Sequence, residues 1–127
     1  MIYLLDTHSL LWYIQGNTQL SSTAIDHILE PQSEVHVSIV SLWEIAIKTN
    51  IGKLQVKGDI SQIKKDIDEL SFSLIPISIP TLDTYQKLPL HHRDPFDRLL
   101  IAQTLTQNQP IISADAQFDA YDVERIW

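Results

Sequence analysis

Asp6, Glu44, Asp97 and Asp115 each stand where an apolar run meets a helix or a loop. Asp6 closes the run Ile2-Tyr3-Leu4-Leu5, and Glu44 lies in the first turn of a helical stretch that opens at Ser41. Asp97 opens Asp97-Arg98-Leu99-Leu100-Ile101-Ala102-Gln103, and Asp115 follows Ile111-Ile112-Ser113-Ala114. In a protein of alternating strands and helices, strand C-termini and helix N-termini share one edge of the sheet, where ligands bind. Four carboxylates far apart in sequence can therefore meet. Clustered carboxylates repel one another unless protons or a cation compensate, so the pattern points to a divalent metal. Magnesium suits such a set: it takes oxygen ligands, keeps several waters and often uses only one or two direct carboxylates. The ion can lower the pKa of water and orient it toward a phosphodiester, which removes the need for a Ser, Cys or Lys nucleophile.

Each acid also has a structural explanation. Ser41-x-x-Glu44 has the form of a capping box. Asp94 is a natural N-cap, and Asp97 then falls in the first helical turn, where the helix dipole favours an ionised carboxylate. Asp6 and Asp115 suit turns after strands. Taken singly, each acid is explained structurally; what argues for function is that all four share one predicted edge.

Other chemistries lack their residues. Three glycines make no phosphate-cradling loop, and neither H-E-x-x-H nor G-x-S-x-G occurs. Asp6-Thr7-His8 has only the first of the two aspartates of an aspartate-nucleophile phosphatase loop. The absence of cysteine excludes disulfides, zinc thiolates and a thiol nucleophile. A net charge of −7 argues against holding nucleic acid by bulk electrostatics, but not against brief contact through a metal. Around the acids, Thr7 and Ser113 offer hydroxyls that hold metal-bound water or close turns. His8 is a substrate or water contact or, as expected of a lone histidine, a hydrogen-bonded structural residue. His91, His92 and Arg93, in a loop near the site, touch phosphate or, as expected, form a solvated loop. Lys48, Lys53, Arg93 and Arg98 are candidate phosphate contacts or solvated surface, and Trp12 and Trp43 are expected in the core or at a subunit contact. Asp119 and Asp122 are surface or reserve ligands.

The elements that must position these groups follow from periodicity. Strands are expected at Tyr3–Leu5, Glu34–Ser38, Ser73–Ile77, Ile111–Ser113 and Val123–Ile126. Pro76 points to an edge position or a strand end for the third. Helices are expected at His8–Gln15 and from Ser21 or Ser22 to Glu30, the latter burying Ile25, Ile28 and Leu29. Further helices should span Ser41–Asn50, Asp59 to Leu70, Thr81–Leu88 and Asp94 to Gln107. The result is one α/β domain over residues 1–127, with a mostly parallel sheet of about five strands covered on both faces. No apolar run reaches membrane-span length and no secretory signal is evident, so a cytoplasmic location and no membrane partner are expected.

The segments Leu5-Asp6-Thr7-His8, Ser41-Leu42-Trp43-Glu44-Ile45, His92-Arg93-Asp94-Pro95-Phe96-Asp97-Arg98-Leu99-Leu100-Ile101-Ala102-Gln103 and Ser113-Ala114-Asp115 together resemble the PIN domain family. More narrowly, they resemble the VapC-type toxins of bacterial type II toxin–antitoxin systems. The similarity covers nearly the whole chain in order, and the segment around Asp94 and Asp97 is its most specific part. It implies a three-layer α/β/α fold and a Mg²⁺- or Mn²⁺-dependent endoribonuclease. It places the metal-site and catalytic acids at Asp6, Glu44, Asp97 and Asp115, with Asp94 second in rank. It also implies a homodimer inhibited by a small antitoxin whose tail fills the toxin's groove. The rival readings are a metal-dependent phosphatase or DNA-directed nuclease, or a non-catalytic binding module whose acids only cap helices.

Overall fold

The computed structural model describes residues 1–127. Five strands, β1 (Ile2–Leu5), β2 (Glu34–Ser38), β3 (Ser73–Ile75), β4 (Ile111–Ile112) and β5 (Arg125–Ile126), form one sheet in the order β3-β2-β1-β4-β5. Every pairing is parallel, with Leu5 opposite Val37 on one side and Ile112 on the other. β3 is an edge strand and stops at Ile75, just before Pro76, two residues short of the expected end at Ile77.

Side chains alternate across the sheet with period two. Tyr3, Leu5, Val35 and Val37 enter a core with Leu10, Leu11, Ile45, Ile63 and Ile67. Leu4 enters the opposite one with Leu100, Ile101, Ile111 and Phe118. Six helices supply these layers: α1 (Thr7–Gln15), α2 (Ser22–Leu29), α3 (Ile39–Asn50), α4 (Ile60–Glu69), α5 (Ile79–Gln86) and α6 (Pro95–Gln107). A 3-10 helix spans Ala116–Ala120. The fold is the expected three-layer α/β/α sandwich around a parallel sheet of five strands. No helix is long and apolar enough to cross a membrane.

Three local expectations are corrected. α3 begins at Ile39, because Ser38 accepts the Val40 N–H at 3.1 Å; Ser41 lies inside the helix, so no capping box forms with Glu44. α5 starts two residues earlier than Thr81, capped by Ser78 with Pro80 in its first turn. On α2 the buried positions are Ala24 and Ile28, whereas Leu29 at the last turn is exposed.

From β1 the chain passes to β2 and β3 on one side of the sheet, and later to β4 and β5 on the other. The order therefore reverses between β1 and β4. Such a switch point opens a crevice beyond the strand C-termini, where ligands of open α/β sheets bind. Asp6 directly follows β1, and Ser113 directly follows β4.

Candidate metal centre

Asp6 is the N-cap of α1, and its Oδ1 accepts the Ser9 N–H at 2.8 Å. Its Oδ2 accepts the Ser113 hydroxyl at 2.6 Å, bridging the switch point. Burial pushes the Asp6 carboxyl above its usual range, against the lowering effect of the Ser113 and Ser9 hydrogen bonds and of His8. Ser113 Oγ also accepts the Asp115 N–H at 3.0 Å, so one hydroxyl fixes both acids. Asp115 caps the 3-10 helix, where its Oδ1 accepts the Gln117 N–H at 2.9 Å.

Glu44 projects from α3 toward α1. Its Oε1 accepts the Thr7 hydroxyl at 2.7 Å, and its Oε2 takes Lys48 Nζ at 2.5 Å, one helical turn on. The Thr7 hydroxyl also lies 3.0 Å from Ser41 Oγ. This bond to Glu44 raises the Lys48 ammonium pKa. Without a capping box, the side chain of Glu44 satisfies no backbone group at the helix start; the carboxylate is buried for other reasons.

Asp97 is the meeting point. It lies in the first turn of α6, whose N-cap Asp94 accepts the N–H groups of Phe96 and Asp97 at 2.8 and 3.1 Å. Its carboxyl is pushed up to about 8, first by burial and then by the charges of Asp94, Glu44, Asp6 and Asp115. The expectation that the helix dipole holds it ionised is therefore corrected. A first-turn dipole effect is worth about 0.3–1 kcal/mol, too little against burial beside four carboxylates. Asp6, Glu44, Asp94 and Asp115 are thus near enough for their charges to act on Asp97, although the ligand atoms of Asp6 and Glu44 fall outside the tight group described next.

His92, expected in a solvated loop, is instead buried in this cluster. Its Nε2 is 2.9 Å from Asp115 Oδ2 and 3.3 Å from Asp97 Oδ2. One atom each from His92, Asp97 and Asp115 lie within 4.8 Å of one another. Arg98 also departs from expectation: it is buried, and its Nη1 donates to the carbonyls of Pro89 and His92 at 3.1 and 3.2 Å. Through Nη1 it clamps loop 89–92 to α6. His8 is exposed and packs on Trp12 with ring centroids 5.8 Å apart. Trp12 is half-buried, whereas Trp43 is 58% exposed and meets Phe96 edge-on. Asp119 is paired with Arg125 at 2.9 Å and stands apart from the cluster.

The donor set fits a hard divalent cation. Its acids offer carboxylate oxygens, and one of them, Asp97, is held above its usual range first by burial and then by the surrounding negative charge. Lys48 is the one lysine or arginine bonded to these acids, and it engages a single oxygen of Glu44.

Strand order, a crevice at the switch point and a converged acidic centre define an α/β domain with a candidate metal site on its carboxyl edge. Residues 3–124 match the PIN domain, and the chain belongs to that family. Comparison with curated proteins finds no match. Among solved structures, the chain is similar to VapBC2 from Rickettsia felis bound to a DNA fragment from its promoter, at 15% identity and a TM-score of 0.70, with all of both chains covered. It is also similar to VapBC-1 from nontypeable Haemophilus influenzae, at 18% identity and a TM-score of 0.65, covering 98% of this chain and 96% of that one. VapBC-5 of Mycobacterium tuberculosis, a member of the VapBC family of toxin-antitoxin systems, matches at 19% identity and 0.62, with the same coverage.

Proposed function

We propose that this protein is a Mg²⁺- or Mn²⁺-dependent endoribonuclease, the toxin of a type II toxin–antitoxin pair. The observation that carries the reading is the Asp97 carboxyl, 3.3 Å from His92 Nε2 beside Asp115 and raised to about 8 by burial and by four acids, three of them from distant parts of the chain. A cluster so unfavourable to itself is costly unless it serves a cation.

In this reading Asp6 and Asp97 hold the ion most directly, and Glu44 and Asp115 complete the pocket directly or through water. When bound, the ion supplies an activated water and charge stabilisation at a phosphodiester. The chain's own residues do the rest. Ser113 fixes the rotamer of Asp6, Thr7 fixes that of Glu44, and Ser9 N–H holds the second Asp6 oxygen. Asp94 orients the first turn of α6 and so the Asp97 backbone. The antitoxin partner is supported by structural neighbours that include a member of the VapBC family of toxin-antitoxin systems and a toxin-antitoxin complex from Klebsiella pneumoniae. A homodimer, with single-stranded or loop RNA as substrate, belongs to the same proposal.

The test is to incubate the purified protein with Mg²⁺ and labelled RNA, DNA and a small phosphomonoester, beside Asp6→Asn and Asp97→Asn variants. Metal-dependent cleavage of RNA alone, lost in both variants while they stay folded, is the expected result. Cleavage of DNA or of the monoester instead would favour a DNA-directed nuclease or a phosphatase. Full RNA cleavage by both variants would refute the assignment, and no metal-dependent turnover on any substrate would leave a non-catalytic binding module.

A further inference from the structure

The buried contacts of His92 decide which of its nitrogens carries the proton. Nδ1 lies 3.2 Å from the Asp94 backbone N and accepts its N–H. A neutral imidazole has one N–H and one acceptor nitrogen, so the proton sits on Nε2, which faces Asp115 Oδ2 at 2.9 Å and Asp97 Oδ2 at 3.3 Å. A metal-ligating nitrogen must be bare. For Nε2 to bind an ion, the proton would have to move to Nδ1, where it would confront the Asp94 N–H. The backbone at the start of α6 therefore forbids the ligand role that proximity alone suggests.

The ring is also held from behind. The Tyr121 hydroxyl accepts the N–H groups of His91 and His92 at 3.1 and 2.9 Å and donates to the Pro89 carbonyl at 2.7 Å. Arg98 Nη1 binds the carbonyls of Pro89 and His92, and its guanidinium stacks on Tyr85 at 5.1 Å. His92 packs on Phe118 with centroids 5.8 Å apart. Loop 89–92 is thereby tied to α6, which carries Asp97, and to the 3-10 helix and the Tyr121 that follows it, a helix capped at its start by Asp115.

We infer that His92 is a positioning residue that donates through Nε2–H to Asp115 and Asp97, setting the spacing of these two carboxylates for the cation without ligating it. This rests on the metal-centre reading above. Outer partners of this kind typically affect metal affinity about 10–100-fold. Gln places an amide N–H near the position of Nε2, whereas Ala removes the donor.

The experiment combines Mn²⁺ titration of the wild type, His92→Ala and His92→Gln with pulsed electron spin resonance of the Mn²⁺-loaded wild type. Expected are about 10–100-fold weaker Mn²⁺ binding in His92→Ala, recovery to within about threefold in His92→Gln, and no directly coordinated nitrogen-14 coupling in the wild type. Equal loss in both variants, or a directly bound imidazole nitrogen, would overturn the inference and leave the metal centre standing. Absence of Mn²⁺ binding in the wild type would overturn both. Should His92→Ala fail to fold, the wild-type resonance and the His92→Gln titration still decide.

Discussion

Ser113 donates its hydroxyl proton to Asp6 Oδ2 across the β1–β4 switch point, at 2.6 Å and 107 residues' separation. The bond spans neighbouring strand ends, because Leu5 and Ile112 are paired in register. Ser113→Ala removes the donor to one Asp6 oxygen and leaves the Asp115 N–H without its acceptor. An unpaired buried polar group costs about 1–3 kcal/mol, so the variant should melt several degrees lower. Mn²⁺ affinity should fall about 10–100-fold, as expected for the loss of a group that orients a ligand. Titration and calorimetry of the variant check both numbers; unchanged Mn²⁺ affinity would remove Asp6 from the centre.

The raised acids set the sign of the pH dependence. Asp97 titrates near 3.8 when unfolded and at about 8 when folded, so between those values the folded chain holds a proton that the unfolded chain lacks. Its contribution to stability is full below about 3.8 and declines as pH rises toward about 8, at up to about 1.4 kcal/mol per pH unit. Asp6, raised by burial, acts in the same direction. Urea denaturation of the metal-free protein should show this decline, and Asp97→Asn should flatten it. A flat wild-type profile would contradict the convergence of charge on Asp97.

The same acid links metal binding to protons. At neutral pH, Mn²⁺ must displace the Asp97 proton, so calorimetric titration in buffers of different ionisation enthalpy should report release of about one proton per ion. At a free Mn²⁺ concentration about 100 times its Kd, stability should rise by about 2.7 kcal/mol, and chelation should reverse this. Absence of both effects would count against the centre.

What was legible in the sequence was the part set by local rules. Pro95 at the first helical position and Asp94 before it fix where α6 begins, and hence where Asp97 falls. Apolar runs ending in Asp6 and Ser113 fix the strand ends. The role of His92 was not legible, because its burial depends on Tyr121, Arg98 and Phe118, whose approach is a tertiary event. The burial of Arg98 is hidden for the same reason: it depends on carbonyls of an adjacent loop that engage Nη1 only in the folded chain. The apparent capping box at Ser41 failed because Ser38, three residues earlier, already caps the helix.

Lys48 competes with the proposed cation for Glu44. Its Nζ holds Glu44 Oε2 at 2.5 Å, with the lysine side chain about a third exposed and the glutamate buried. Lys48→Met should cost the metal-free protein about 1–3 kcal/mol, less than a fully buried pair because water still reaches the ammonium. Mn²⁺ should restore part of that loss by replacing the missing positive charge. Thermal shifts with and without Mn²⁺ measure the difference, and an equal loss in both would show that Glu44 lies beyond the ion's influence.

Arg98 provides a test that separates stability from substrate binding. Its guanidinium serves two carbonyls at once while lying over the Tyr85 ring, a geometry a lysine ammonium cannot reproduce. Arg98→Lys should therefore lower stability by about 1–3 kcal/mol through carbonyls left poorly satisfied. Amide exchange in loop 89–92 should quicken, since the N–H groups of His91 and His92 depend on the Tyr121 hydroxyl that the same arginine faces at 3.4 Å. Because Nη1 is turned inward, the dependence of RNA binding on salt should be the same in the charge-removing variant Arg98→Met as in the wild type. Loss of one phosphate contact would instead make the salt slope shallower by about 0.7 for a single strand. Such a shallower slope, with stability unchanged, would return Arg98 to the substrate face.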